Sequence, residues 1–399
     1  MSTRTQVDPR SVLVHETWGD HAALLARHST GGEASVGLVQ SQLVDVATPR
    51  DPLRLQYGEV LERVAVAYET YGTLNPEGTN AVLVTHALTG SGHAAGTTDR
   101  ESLPGWWDPL IGPDKPIDTN RFFVISSNVL GGCYGTTGPS SISPQNGRAY
   151  GPRFPRYTVR DMVNVQKRLL DTLGVRSLRA VIGGSMGGMQ VLEWAATYPE
   201  LVRGIVPIAI GARHSAWAIG LNEVARRAIM ADPAWQNGDY PVERQPEVGL
   251  GLARAIAMIT YRSYDSLEQK FGRERFAQPG ADDALRSSFQ IASYLDYQGV
   301  KLVERFDANT YIQLTRAMDE YDVSDGRGSL TQVLGGLSLP ALVMGIDSDV
   351  LYPESEAREL ANLIPGARYQ RISSPHGHDA FLIEYPQLAV RLREFLQND

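Results

Sequence analysis

Cysteine is nearly absent: Cys133 is the only one in 399 residues. A lone thiol excludes an internal disulfide and any metal cage of several thiolates, and it fits a reducing cytoplasm, the expected compartment. Lysine is scarce too, four of the 37 basic residues, and the arginines are scattered rather than clustered. With a net charge of −8 and no basic run, nucleic acid and anionic membranes are excluded as partners. No apolar stretch approaches the roughly 20 residues that a membrane-crossing helix needs. The segment MSTRTQVDPRSVLVHETWGD lacks the basic-then-apolar order of a secretory signal. Internal repeats and low-complexity tracts are also missing.

What is present is an apolar fraction of 42%, which excludes a mostly disordered chain. Residues 1–50 are polar and dotted with Gly and Ser (HSTGGEAS), and are expected to be a poorly ordered tail. RVAVAYETYG (63–72) alternates like an antiparallel strand. A rhythm of short apolar runs and amphipathic segments follows. Buried strands are expected within 80–90, 121–129, 178–185 and 202–211, and helices over 158–174 and 186–199. Thr158 is placed to cap the first helix and Gly174 to stop it. The rhythm pauses after Gly211 and resumes with a strand at 339–347, a helix near 353–363, a strand at 367–373 and a final helix from about His378 to Leu396. Strands alternating with helices imply a mostly parallel sheet covered on both faces. The residues between the two blocks are mostly helical in pattern. The expected division is therefore core at 51–213, a helical cap inserted at 214–339, and core again at 340–399.

The sharpest motif is Gly183-Gly184-Ser185-Met186-Gly187-Gly188, a G-x-S-x-G lying between a strand and a helix. A nucleophile on so tight a turn strains its own backbone, and small neighbours prevent clashes. The turn lifts the hydroxyl above the sheet at a helix N-terminus, where backbone N–H groups can hold an oxyanion. Serine needs a base, and the base needs an orienting acid. In this type of scaffold the chain order is Ser, acid, His. SSPHGHDAF offers His376 and His378, and placement at the end of the loop favours His378. GIDSDVLYP offers Asp347 and Asp349. Asp347 is closer to the strand and suits a turn, so Asp349 is favoured. The oxyanion donors expected are the N–H groups of Leu88, in THALTGSGHAAG, and Met186. His86 and His93 read as structural. Cys133 lacks the strand–turn–helix setting and is not expected to be a nucleophile.

Seven segments together resemble the homoserine O-acyltransferase family of α/β-hydrolase-fold enzymes: THALTGSGHAAG (85–96), GWWDPLIGPDKPIDTNRFFVISSNVLGGCYGTTGPSS (105–141), GGSMGGMQ (183–190), IGARHSAW (210–217), FDANTYIQLTRAMDEYD (306–322), GIDSDVLYP (345–353) and SPHGHDAF (374–381). The resemblance runs from about residue 50 to the C-terminus. It implies an α/β-hydrolase core with a helical cap and a triad of Ser185, Asp349 and His378. It also implies substrate contacts from Arg213 and Asp379, which suit the carboxylate and ammonium of an amino acid. The implied reaction is ping-pong acyl transfer from acyl-CoA to L-homoserine with no metal or prosthetic group, in a homodimer formed through the cap. The TGSGHAAG loop resembles the acetyl-using branch. Succinyl-CoA as donor, serine as acceptor and simple ester hydrolysis remain open alternatives.

Overall fold

The computed structural model describes residues 35–99, 103–275 and 288–397. Its centre is an eight-stranded sheet. In chain order the strands are β1 (Gln42–Ala47), β2 (Val64–Tyr71), β3 (Ala81–Thr85), β4 (Phe123–Ser127), β5 (Leu178–Gly184), β6 (Ile205–Ile208), β7 (Leu342–Ile346) and β8 (Arg368–Ile372). They lie in the order β1-β2-β4-β3-β5-β6-β7-β8. β2 runs antiparallel to both neighbours, and every later pairing is parallel.

The central strands read as unbroken apolar runs because both sheet faces are covered. In β3 all five residues are buried. Ala81 and Leu83 pack into the cluster on one face, Val82 and Val84 into that on the other. Helices α1 (Val159–Thr172) and α2 (Met186–Thr197) serve the first face. Thr158 caps α1 through a reciprocal box with Asp161, and Gly174 follows the helix at φ 77°.

Between β6 and β7 the chain is helical: α3 (Ala216–Ala231), α4 (Glu247–Tyr261), α5 (Tyr264–Phe271), α6 (Gln290–Val303), α7 (Ala308–Asp319) and α8 (Leu330–Gly335). α9 (Glu354–Leu363) and α10 (Tyr385–Gln397) complete the core. α7 is buried along nearly its whole length, in the same apolar cluster as Leu88 and Met186. The inserted helices thus share a core with the sheet.

Two expectations are corrected. The tail assigned to residues 1–50 contains β1, which pairs with β2 from Gln42↔Tyr68 to Ala47↔Val64. This edge strand is only half buried, so its apolar signal is weak. Residues 1–34 of that tail lie outside the described residues. The helix expected from His378 to Leu396 is two elements: a 3-10 turn at Gly377–Leu382 and then α10. Pro386 falls in the first turn of α10, where a missing N–H costs nothing. No helix among the described residues is long and apolar enough to cross a membrane.

Candidate active site

Ser185 stands between β5 and α2 at φ 57°, ψ −129°. A non-glycine residue in this region is strained by about 1–3 kcal/mol and persists only where its surroundings enforce it. The turn around it is too close-packed for side chains at the flanking glycines. A Cβ on Gly183 would stand 2.1 Å from Thr85 Oγ1, and one on Gly187 2.2 Å from the Thr85 carbonyl oxygen. One on Gly188 would meet the Ile210 side chain at 2.9 Å. The Thr85 hydroxyl donates to the Gly187 carbonyl at 2.9 Å, tying the end of β3 to the turn. Gln190 Nε2 donates to the carbonyls of His86 and Met186, joining the loop after β3 to the first turn of α2. Leu88 and Met186 are thereby brought to one place, and both are buried. Met186 opens α2, so its N–H has no acceptor within the helix.

Asp349 follows β7 in a tight loop. Its Oδ1 accepts the N–H groups of Leu351 (2.8 Å) and Tyr352 (2.9 Å). Its Oδ2 accepts from His378 Nδ1 at 2.7 Å. That bond leaves Nε2 of His378 as the free ring atom, and Nε2 is buried without a hydrogen bond. Burial disfavours the imidazolium. The Asp349 carboxylate, its hydrogen bond and the nearby Asp379 outweigh that, so the histidine's pKa lies above its ordinary value. The ring is packed among Tyr352, Phe381 and Tyr261 at centroid separations of 5.3, 5.6 and 5.8 Å. Phe381 also lies against Gly184, where a Cβ would meet its ring at 2.7 Å, so His378 is held beside the serine turn. Ser185, Asp349 and His378 are only 6%, 5% and 3% exposed.

The rejected alternatives have other work. Asp347 accepts from Ser373 Oγ (2.7 Å) and from the Ser374 N–H (3.0 Å), bracing the strand ends. His86 Nε2 accepts from the Val129 N–H, and burial pushes its pKa down to about 4. His93 Nδ1 pairs with the buried Glu69 at 3.0 Å. Burial drives the Cys133 thiol up to about 12, so it is protonated at neutral pH. No group of three or more His, Cys, Asp or Glu among the described residues could hold a metal ion.

The matched model, alpha/beta hydrolase fold, covers residues 80–385. A homoserine O-acetyltransferase of Carboxydothermus hydrogenoformans is 49% identical over 369 residues, 91% of this chain and 96% of the relative. The chain belongs to the homoserine O-acetyltransferase family. Among solved structures, the homoserine O-acetyltransferase of Bacillus anthracis superposes with a TM-score of 0.83 at 29% identity, over 91% of this chain and 98% of that one. Esterase E22 superposes equally well, TM-score 0.83 at 30% identity, over 90% and 100%. The scaffold is thus shared by a transferase and an esterase, and overall shape does not separate them.

The two substrate contacts expected from sequence, Arg213 and Asp379, lie in different settings. Asp379 follows His378 directly and faces the inserted helices, with Oδ2 3.5 Å from Arg262 Nε. Arg213 is exposed, and its backbone bridges to Asp322. Its side chain makes no hydrogen bond or ion pair with a described residue. Arg254 of α4 lies near the histidine loop. It is half-buried, and its guanidinium carbon lies 5.5 Å from the ring centroid of Tyr261, the ring that covers His378. It forms no ion pair among the described residues. Arg254 and Arg262 are not marked in the sequence, because nothing local distinguishes these two from the other arginines, and Tyr261 stands out no more than the other tyrosines. The faint signal was the polar ITYRS (259–263) closing an otherwise apolar helix.

Proposed function

We propose that this protein transfers an acetyl group from acetyl-CoA to the hydroxyl of L-homoserine, by way of an acyl-Ser185 intermediate. The product, O-acetyl-L-homoserine, would feed methionine biosynthesis. The observation that carries this reading is the pairing of a buried Ser–His–Asp set with Asp379 and Arg254 beside it. An ester hydrolase needs no such charges, whereas a zwitterionic acceptor does.

In the first half-reaction His378 Nε2 takes the proton of Ser185 Oγ, and Oγ attacks the thioester carbon. The N–H groups of Leu88 and Met186 hold the oxyanion. The C–S bond breaks, and CoA leaves as a thiol with the proton from Nε2. In the second, Nε2 takes the hydroxyl proton of homoserine, whose oxygen attacks the acyl carbon. Ser185 Oγ then leaves and regains its proton. Every proton and electron pair moves between protein and substrates, so the cycle requires no metal or prosthetic group. Burial of the three residues under the inserted helices supports transfer over hydrolysis, because water must be kept from the acyl-enzyme. The acyl-CoA donor and the lone, half-buried thiol favour a cytoplasmic setting. The deciding assay is steady-state turnover with acetyl-CoA and succinyl-CoA against homoserine, serine and water. Homoserine with acetyl-CoA should give the highest kcat/KM. Turnover with water alone would establish the esterase reading that the likeness to esterase E22 favours.

The acceptor's charges assign two roles: Asp379 binds the ammonium, and Arg254 binds the carboxylate in place of Arg213. Removing one partner of a buried charge pair costs about 2–5 kcal/mol. Arg254→Ala and Asp379→Asn should therefore raise the acceptor KM steeply. Release of CoA in the absence of acceptor should continue. Arg213→Ala should change KM less than threefold. A larger effect from Arg213→Ala than from Arg254→Ala would return the carboxylate to Arg213.

The same inserted helices support a homodimer. Val248, Leu252 and Ile259 form one exposed stripe on α4, and Trp217 on α3 and Tyr264 on α5 are also exposed. Such an apolar surface matches a self-complementary interface. Light scattering at micromolar concentration should give a dimer mass, and Leu252→Glu should shift it to the monomer. A monomeric parent protein would refute the assembly.

A further inference from the structure

The corner between α4 and α5 is locked onto the loop that carries His378. Ser263 at this corner caps α5 by accepting the Ser266 N–H, while its hydroxyl donates to the Pro375 carbonyl. Gly377 sits beneath it at φ 68°. A Cβ there would stand 2.6 Å from the Ser263 nitrogen and 2.7 Å from the Arg262 carbonyl carbon. The Arg262 backbone thus packs against Gly377, the residue before His378. Arg262 Nε reaches Asp379 Oδ2 at 3.5 Å, with the two side chains 13% and 20% exposed. Asp379 Oδ1 carries no hydrogen bond from a described residue. A carboxylate offers about four acceptor positions, so one cation on Oδ2 leaves room for a second on Oδ1.

We propose that Arg262 is a positioning residue for the amino-acid acceptor: it fixes Asp379 from the cap side so that the remaining carboxylate oxygen receives the acceptor's ammonium group beside His378. This rests on the acceptor reading above and deepens it. Anchoring one carboxylate oxygen removes the rotamer freedom that ammonium binding would otherwise have to quench. The acceptor site is then complete only where the cap corner and the histidine loop meet.

The test separates acceptor recognition from upkeep of the histidine loop. Arg262→Gln and Arg262→Lys are compared with the parent enzyme for CoA release without acceptor, and for acetyl transfer to L-homoserine and to 4-hydroxybutyrate, which lacks the amino group. Arg262→Gln should raise the homoserine KM at least tenfold. It should leave the donor half-reaction within twofold and transfer to 4-hydroxybutyrate unchanged. Arg262→Lys should recover part of the loss. Adding Asp379→Asn to Arg262→Gln should cost little beyond Asp379→Asn alone. Equal losses in donor-only CoA release and in both transfers would overturn the proposal, since the arginine would then serve only to hold His378. An unchanged homoserine KM would overturn it as well. Failure of the parent enzyme itself to use homoserine would instead remove the acceptor reading, and this proposal with it.

Discussion

Ser185→Ala is expected to abolish acyl transfer, a loss on the order of 10⁶ in kcat by analogy with serine triads in which the nucleophile was removed. The side chain is small, and alanine occupies the same strained backbone, so the melting temperature should stay within a few degrees of the parent. Mass spectrometry of the parent enzyme with acetyl-CoA alone should show an added acetyl group on the peptide containing Ser185, and none in the variant. An adduct on Cys133 would overturn the mechanism. The structure argues against it, since a thiol held near 12 by burial is almost wholly protonated at neutral pH.

Asp349→Asn should lower turnover by about 10⁴, because an amide can donate to Nδ1 and so favour the wrong tautomer of His378. Its mark is visible in pH dependence too. The base works only when neutral, so kcat/KM for acetyl-CoA should fall as pH drops through the pKa of His378. That limb should lie above an ordinary histidine value, since Asp349 and Asp379 raise it against the effect of burial. Loss of the Asp349 charge should move the limb of the residual activity to lower pH. Asp347→Asn is the control. It disturbs bonds to Ser373 and the Ser374 N–H, so it should cost about 1 kcal/mol of stability and less than tenfold in rate. The reverse ranking of the two aspartates would show that the acid is Asp347.

The parts of the site legible in the sequence were those governed by short-range sterics. A serine flanked by four glycines marks a tight turn, and the structure holds it at φ 57° where Thr85 and Ile210 leave no room for a Cβ on Gly183, Gly187 or Gly188. Asp349 and His378 were legible because each follows a strand, the first fully buried and the second at the sheet edge, and strand ends at the carboxyl edge are where such folds gather their chemistry. Less was legible where burial was partial. β1 hid in a polar tail because an edge strand shows half the apolar pattern. The final helix was drawn too long because an amphipathic pattern continues across the break between Leu382 and Tyr385.

The amino-acid sequence by itself determined the layered α/β architecture, the serine turn and the acid–histidine pair, since continuous apolar runs and glycine spacing act through neighbours along the chain. It left the partners of Asp379 undetermined. Only the tertiary structure decided that Arg262, more than 100 residues earlier, meets that carboxylate, and that Arg254 rather than the exposed Arg213 lies near the ring covering His378. The reason is physical: inserted helices carry no local signal of which face meets the core. Their placement follows from the sum of many long-range contacts, such as the seat of Ser263 on Pro375 and the space left by Gly377. The basicity of His378 was decided the same way, because burial and two carboxylates pull it in opposite directions, and only their arrangement in space sets the balance.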